Sequence, residues 1–334
     1  MRKLRAEKER LAIDSYTYKR RVNVSAPAEA GAAKPAASAV AFSVGLGILG
    51  AVLGVLAVGY LEGRRRRVLN SNDIVQVMKL RVLGNIPFVP SLSDGPLTRV
   101  WRDDFGIAGS LLIEAINDLR AMLLSGTDGR TPKVIMLTSA NQGEGKTTLT
   151  CLLALSLAQV GKRTLLLDAD LRNPQVAYRL ALPTTAGFGE VLRGEERPSG
   201  VIGGVPGTPL AVMTAGRPCA TLIRGLSTER VHQVLAEVRE QFDYIVVDSC
   251  PTSLTDGLIV GACVDAAVLV VRSGQSTEPE VREACERLLA FRVPLVGGVL
   301  NGLPLAKRLQ YPYIVQSPAL APEDELAPLQ VAGV

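Results

Sequence analysis

The 334-residue chain is 47% apolar and 21% charged, enough for one large domain of roughly 200 residues with smaller attachments. Its formal net charge of +5 is local, because residues 1–67 hold 13 Lys/Arg against 5 Asp/Glu while the remainder holds 24 against 27. A basic excess beside an apolar run fits membrane orientation and anionic lipid, and with a single Trp no aromatic platform for bases exists, so nucleic acid is excluded as a partner.

Residues 1–22 are rich in Lys, Arg and Glu and predict a short charged helix, and residues 23–38 form a Pro/Ala-rich linker. From Ala39 to Leu61 no charged side chain occurs. At about 1.5 Å per residue, such a helix spans a hydrocarbon layer of about 30 Å. The run starts late and is long for a signal peptide. It ends at Glu62-Gly63 before Arg64, Arg65, Arg66 and Arg67, which marks the C-terminal side as cytoplasmic. This predicts a single-pass membrane protein with its C-terminal domain in the cytoplasm. Gly50 and Gly54, with Gly47 and Ala51 at the same spacing, fit close helix–helix approach or simply the glycine content of membrane helices.

Residues 62–106 read as a juxtamembrane connector, with an extended stretch from Arg81 that stops at Pro87. Residues 107–125 carry apolar side chains at helical spacing. Strand-like runs follow at 133–138, 164–168, 209–213, 243–248, 265–272 and 295–300, with helix-like stretches at 146–160, 228–241 and 277–291. Near-continuous apolar strands alternating with helices predict an α/β domain over 107–303, a mostly parallel doubly wound sheet covered on both faces. A Pro/Ala-rich tail occupies 304–334. The five cysteines are odd in number and lack a CxxC pair, so neither a disulfide framework nor a zinc site follows, and a reduced cytosolic domain is expected. The lone His232 reads as an ordinary helix residue.

Three segments carry chemistry. After the first apolar run comes Ala140-Asn141-Gln142-Gly143-Glu144-Gly145-Lys146-Thr147, which departs from the phosphate-loop pattern only in Ala for the first Gly. Gly143 and Gly145 let backbone amides curl around phosphate oxygens, and the following helix N-terminus adds positive potential. Lys146 reaches phosphate and the Thr147 hydroxyl faces magnesium; Thr148 follows in the first helical turn. The second segment, Leu165-Leu166-Leu167-Asp168-Ala169-Asp170-Leu171-Arg172, ends an apolar strand with carboxylates two apart, able to share one side. Carboxylates there can hold magnesium or its waters, or accept a proton. The third, Tyr244-Ile245-Val246-Val247-Asp248, supplies the magnesium-side Asp that accompanies a phosphate loop.

Together the segments resemble the Walker A, Walker A′ and Walker B motifs of the bacterial tyrosine kinases, P-loop ATPases related to ParA and MinD. The stretch from Leu165 to Arg172 matches the Walker A′ pattern in full. RVLGNIP at 81–87, the Glu114-Ala115 helix and GKRTLLLDADLRNP at 161–174 extend the likeness to a polysaccharide co-polymerase fused to its kinase, over about residues 40–303. The signature lysine of the related ParA/MinD proteins would fall at Asn141, and its absence argues against those ATPases. The resemblance implies ATP and Mg2+ as cofactors, with Lys146, Asp168, Asp170 and Asp248 catalytic. It implies magnesium on Thr147, Asp168 and Asp248, and Asp170 as base toward a tyrosine hydroxyl. Residues 141–148 and Arg172 would contact nucleotide, and Asn301 would stand near adenine.

Three departures qualify the implication. The ring-forming E-x-x-R-x-x-R helix keeps Glu114 and Arg120 but has Asn117 at its centre, so a homo-oligomer through that helix is expected to be weakened. The family's tyrosine-rich tail is reduced to Tyr311 and Tyr313. The fused form carries a periplasmic domain upstream, so a shortened frame or a separate periplasmic co-polymerase subunit is expected, alongside polysaccharide export and polymerisation proteins as partners. The resulting expectation is an ATP-dependent tyrosine autokinase regulating export and chain length of extracellular or capsular polysaccharide. A regulatory ATPase or a co-polymerase scaffold stands as the alternative.

Overall fold

The computed structural model describes residues 2–19, 36–63, 66–79, 81–92, 95–97, 106–125, 131–217 and 226–305. Within it the chain divides into two compact units, Met1–Arg64 and Arg65–Val334. The first holds α1 (Arg2–Lys19) and α2 (Ala36–Gly63). Inside α2, Ala41–Tyr60 has a mean hydropathy of 2.3 and no buried residue, and it is long and apolar enough to cross a membrane. Bulky side chains such as Phe42 and Val55 are uncovered by protein.

The second unit is built on eight strands: β1 (Val82–Pro87), β2 (Val134–Ser139), β3 (Thr164–Asp168), β4 (Gly203–Gly204), β5 (Ala211–Met213), β6 (Tyr244–Asp248), β7 (Ala266–Arg272) and β8 (Leu295–Leu303). They are ordered β1-β8-β7-β2-β6-β3-β5-β4, and only the β4–β5 pair is antiparallel. Side chains alternate across the sheet, and the core divides accordingly. Met136, Leu167, Val247 and Leu269 belong to one apolar cluster, with α9 (Thr228–Arg239) and α11 (Glu278–Ala290) over them. Ile135, Leu166, Val246 and Val268 belong to the other, beneath α4 (Gly106–Leu124) and α5 (Lys146–Gln159). Because both faces are covered, the strands read in sequence as unbroken apolar runs. Between β3 and β4 lie the short helices α6 (Val176–Arg179), α7 (Phe188–Arg193) and α8 (Pro198–Val201); α3 (Ser71–Met78) precedes β1, and α10 (Thr255–Gly261) follows β6.

The residues expected as a connector over 62–106 include part of the sheet. Val82–Pro87 is the edge strand of the sheet, in parallel register with β8 from Val82↔Gly298 to Ile86↔Asn301. Val68, Ile74, Leu83, Ile86, Leu92 and Leu97 are buried in the core. Leu83, Ile86, Leu92 and Leu97 share the apolar cluster beneath α4. Of the linker expected over 23–38 residues 23–35, and of the tail expected over 304–334 residues 306–334 with Tyr311 and Tyr313, lie outside the described residues, as do Arg64 and Arg65, while residues 36–38 begin α2.

Candidate active site

The three motifs end adjacent strands. β2 pairs β6 with Leu137 opposite Asp248, and β6 pairs β3 with Asp248 opposite Asp168. The loop after β2 and both carboxylates thus converge at the C-terminal edge of a parallel sheet, where ligands bind in such folds. Gly143 and Gly145 sit at φ 81° and 92°, a backbone region that L-residues with a Cβ rarely occupy. At Gly145 a Cβ would also collide with the Asn301 amide. The first amides of α5 therefore open onto a concave loop.

Lys146 is 8% exposed, and its Nζ lies 2.9 Å from Asp170 Oδ2. Burial disfavours its charge, but the Asp248 and Asp170 carboxylates outweigh this and hold the ammonium above its ordinary pKa. The Thr147 hydroxyl donates to Asp248 Oδ2 at 2.7 Å, and Thr150 donates to Oδ1 at 3.2 Å. Asp168 is fully buried and accepts the backbone N–H of Asp170 at 3.1 Å and of Val176 at 3.2 Å. Burial, then the facing Asp248 charge, pushes the Asp168 carboxyl well above its usual range; burial raises Asp248 as well. Asp170 Oδ1 accepts the N–H of Asn173 at 3.0 Å, leaving its other oxygen on Lys146. One ammonium thus faces three carboxylates, an excess of negative charge that a hard divalent cation complements. Among the described residues no group of three or more His, Cys, Asp or Glu forms a ready-made metal cage. A cation here would be held by the Thr147 hydroxyl, the carboxylates, water and phosphate oxygens, as suits magnesium.

The remaining motif residues take varied places. Gln142, Gly143, Gly145, Lys146, Thr147, Thr148 and Asp170 line a cleft of about 370 Å³, with Tyr178 and Arg179 on its far wall. The Glu144 side chain turns away from that cleft and is buried, taking the N–H of Asn141 at 2.9 Å. Arg172 pairs with Asp256 through Nε–Oδ2 at 2.6 Å, bracing the Walker A′ turn against α10. Asn301 donates to the Glu144 carbonyl at 2.8 Å and lines a second cavity with Phe88 and Arg272, whose guanidinium stands 4.9 Å from the Phe88 ring centroid. On α4, Glu114 is exposed, while Arg120 donates to Ser156 Oγ at 2.6 Å and Ser156 donates to Asn117 at 2.9 Å.

Two residues carry no motif signal. Arg179, 6% exposed, donates to the carbonyls of Leu92 at 2.6 Å and Gly95 at 2.9 Å, and to Thr148 Oγ1 at 2.6 Å. Ser276 donates to the Glu144 carboxylate. A lone Arg in a four-residue helix and a Ser in a turn resemble surface residues until the chain folds around them.

The ParA family model, described as NUBPL iron-transfer P-loop NTPase, matches residues 130–303, which is over half of the chain. The tyrosine-protein kinase YwqD of Bacillus subtilis (strain 168) is 32% identical over 205 residues, covering 61% of this chain and 86% of YwqD. The chain belongs to the ParA-type P-loop NTPases, among the bacterial tyrosine-protein kinases. Tyrosine-protein kinase etk of Escherichia coli (strain K12) is 29% identical over 60% of this chain but only 28% of its own length. The solved kinase domain of Escherichia coli ETK superposes with TM-score 0.63 at 26% identity, over 69% of this chain and 93% of that one. The BceF tyrosine kinase domain gives TM-score 0.64 at 27% identity, over 72% of this chain and all of its own.

Proposed function

We propose that this kinase transfers the γ-phosphoryl group of ATP to tyrosine, on itself or a partner, at the cleft between residues 140–148 and Asp170. The observation that carries the reading is the convergence of Lys146 and Thr147, at the start of α5, with Asp170, just past the end of β3, and Asp248, at the end of the adjacent strand β6, joined by contacts of 2.9 Å and 2.7 Å. The loop amides and Lys146 would hold the phosphates in place. Thr147, Asp168 and Asp248 would hold magnesium, whose charge neutralises the β- and γ-phosphate oxygens when bound. Asp170 would accept the phenolic proton as the tyrosine oxygen bonds phosphorus and the β–γ bridging bond breaks to release ADP. Such transfer depends on positioning and charge, which suits a site with few groups able to do covalent work. Asn301 supports the loop through the Glu144 carbonyl, Arg172 braces the Walker A′ turn through Asp256, and the Phe88–Arg272 cavity beside Asn301 is the apolar space near the nucleotide.

In this reading Ala41–Tyr60 anchors the protein in the inner membrane, with the arginines after it on the cytoplasmic side. The domain boundaries follow as an N-terminal segment, the anchor, and a kinase domain from about residue 66 to 303. The biological task is export and chain-length control of extracellular or capsular polysaccharide, with export and polymerisation proteins and a separate periplasmic subunit as partners. Self-assembly through α4 would be weak, since Arg120 and Asn117 are already bonded to Ser156 within the same chain. The test is a radiolabelled ATP assay on the full chain in detergent, beside Lys146→Met, followed by phosphotyrosine mapping. Label on tyrosine that vanishes in the variant is the expected result. ATP hydrolysis without phosphotyrosine would overturn the kinase assignment in favour of a regulatory ATPase, and nucleotide binding without turnover in favour of a scaffold.

A further inference from the structure

Arg66 to Leu69 lie as an extended strap along the turn between β7 and α11. Val68 donates its N–H to the Ser276 carbonyl at 2.9 Å, and its own carbonyl accepts from Gly274 at 2.8 Å. Glu278 N–H donates to the Arg66 carbonyl at 2.8 Å, and the Arg67 guanidinium donates to the Gly274 carbonyl at 3.1 Å. The Val68 side chain is fully buried, so strap and turn share a core as well as a ladder.

Ser276 also faces the phosphate loop. Its hydroxyl oxygen accepts the Arg272 N–H at 2.8 Å, and its O–H donates to Glu144 Oε1. Glu144 is 1% exposed; its other oxygen holds the Asn141 N–H at 2.9 Å, while its carbonyl is held by Asn301 at 2.8 Å. A carboxylate inside the loop therefore points away from phosphate and fixes the loop's conformation from behind. That conformation decides where the amides beside Gly143 and Gly145 point, and binding through backbone amides depends steeply on such placement.

We propose that Glu144 and Ser276 are positioning residues of the nucleotide site, through which docking of the strap Arg66–Leu69 sets the shape of the phosphate loop. The proposal rests on reading residues 140–147 as the ATP loop. Losing the Ser276 hydroxyl removes, among the described residues, the only side-chain donor to a buried carboxylate, leaving the Asn141 and Ala140 amides to hold Glu144 and the loop in place. The strap acts by the same route, because Val68 holds the backbone of the residue whose side chain holds Glu144.

The dissociation constant of a fluorescent ADP analogue with Mg2+, measured on the full chain in detergent, tests this. Wild type should bind and Lys146→Met should not; failure of wild type to bind would refute the nucleotide reading itself. Ser276→Ala should weaken binding about tenfold, Glu144→Gln should follow it, and Ser276→Thr should restore it. Val68→Ala should weaken binding alone, yet add little to Ser276→Ala, since both act through one contact chain. Ser276→Ala with wild-type affinity, or additive effects in the double variant, would overturn the relay. Should Ser276→Ala melt below the assay temperature, Glu144→Gln decides, and wild-type affinity there is equally fatal.

Discussion

Asp168→Asn separates the folding role of this site from its catalytic one. Asp168 and Asp248 lie directly opposite on adjacent parallel strands, both fully buried. Strands are about 4.8 Å apart, and two unit charges about 5 Å apart repel by about 3 kcal/mol at an effective dielectric of 20. Burial, with the Asp248 charge second, raises the Asp168 carboxyl, so Asp168 escapes part of this by holding a proton. Removing one charge should therefore stabilise the nucleotide-free protein by about 1–2 kcal/mol near neutral pH, or about 2–8 °C in melting temperature for a domain of this size. The amide oxygen can keep only one of the N–H groups that Asp168 accepts on separate oxygens, Asp170 on Oδ1 and Val176 on Oδ2; loss of the other holds the gain to the low end of that range. The same change should cost at least about a hundredfold in phosphoryl transfer, because the charge that strains the empty site would neutralise magnesium in the loaded one. Calorimetry in EDTA on both proteins reads the first effect and the kinase assay reads the second. A lower melting temperature for Asp168→Asn in EDTA would refute the reasoning, since it would make the carboxylate a net stabilising acceptor rather than a buried charge in conflict.

The pH dependence has a definite sign. An acid whose folded pKa is raised contributes stability that is full below its unfolded value and lost as pH rises through the folded one. Lowering the pH from neutral should therefore shrink the advantage of Asp168→Asn over wild type. Over the same interval Mg2+–nucleotide should bind wild type more weakly, because protonated carboxylates no longer attract the cation; affinity independent of pH between about 5 and 8 would contradict the assignment. Arg179→Ala removes the donor to the carbonyls of Leu92 and Gly95 and to Thr148, and should destabilise the domain by about 2–4 kcal/mol in urea unfolding. A change below about 0.5 kcal/mol would show that water or a neighbour replaces it without loss.

The chain's own order of residues decided the local elements. Unbroken apolar runs such as Val134–Ser139 and Ala266–Arg272 had to be buried on both faces, and glycines at 143 and 145 before Lys146-Thr147 leave few alternatives to a phosphate loop. Asp168 and Asp248 were legible because each ends such a run. Only the tertiary structure decided which strands are neighbours, and with it that Asp168 faces Asp248 and that Lys146 pairs with Asp170. Likewise Val82–Pro87 reads in sequence as part of a connector, because a six-residue edge strand lacks the long apolar run of the central ones. Its place in the sheet comes from β8, some two hundred residues later in the chain. Glu144 shows the same limit at a single residue: its position in the loop suggests a ligand contact, and its direction is set by Ser276, 132 residues away. Periodicity and spacing report what a segment needs to bury; which partner meets that need is a property of the whole fold.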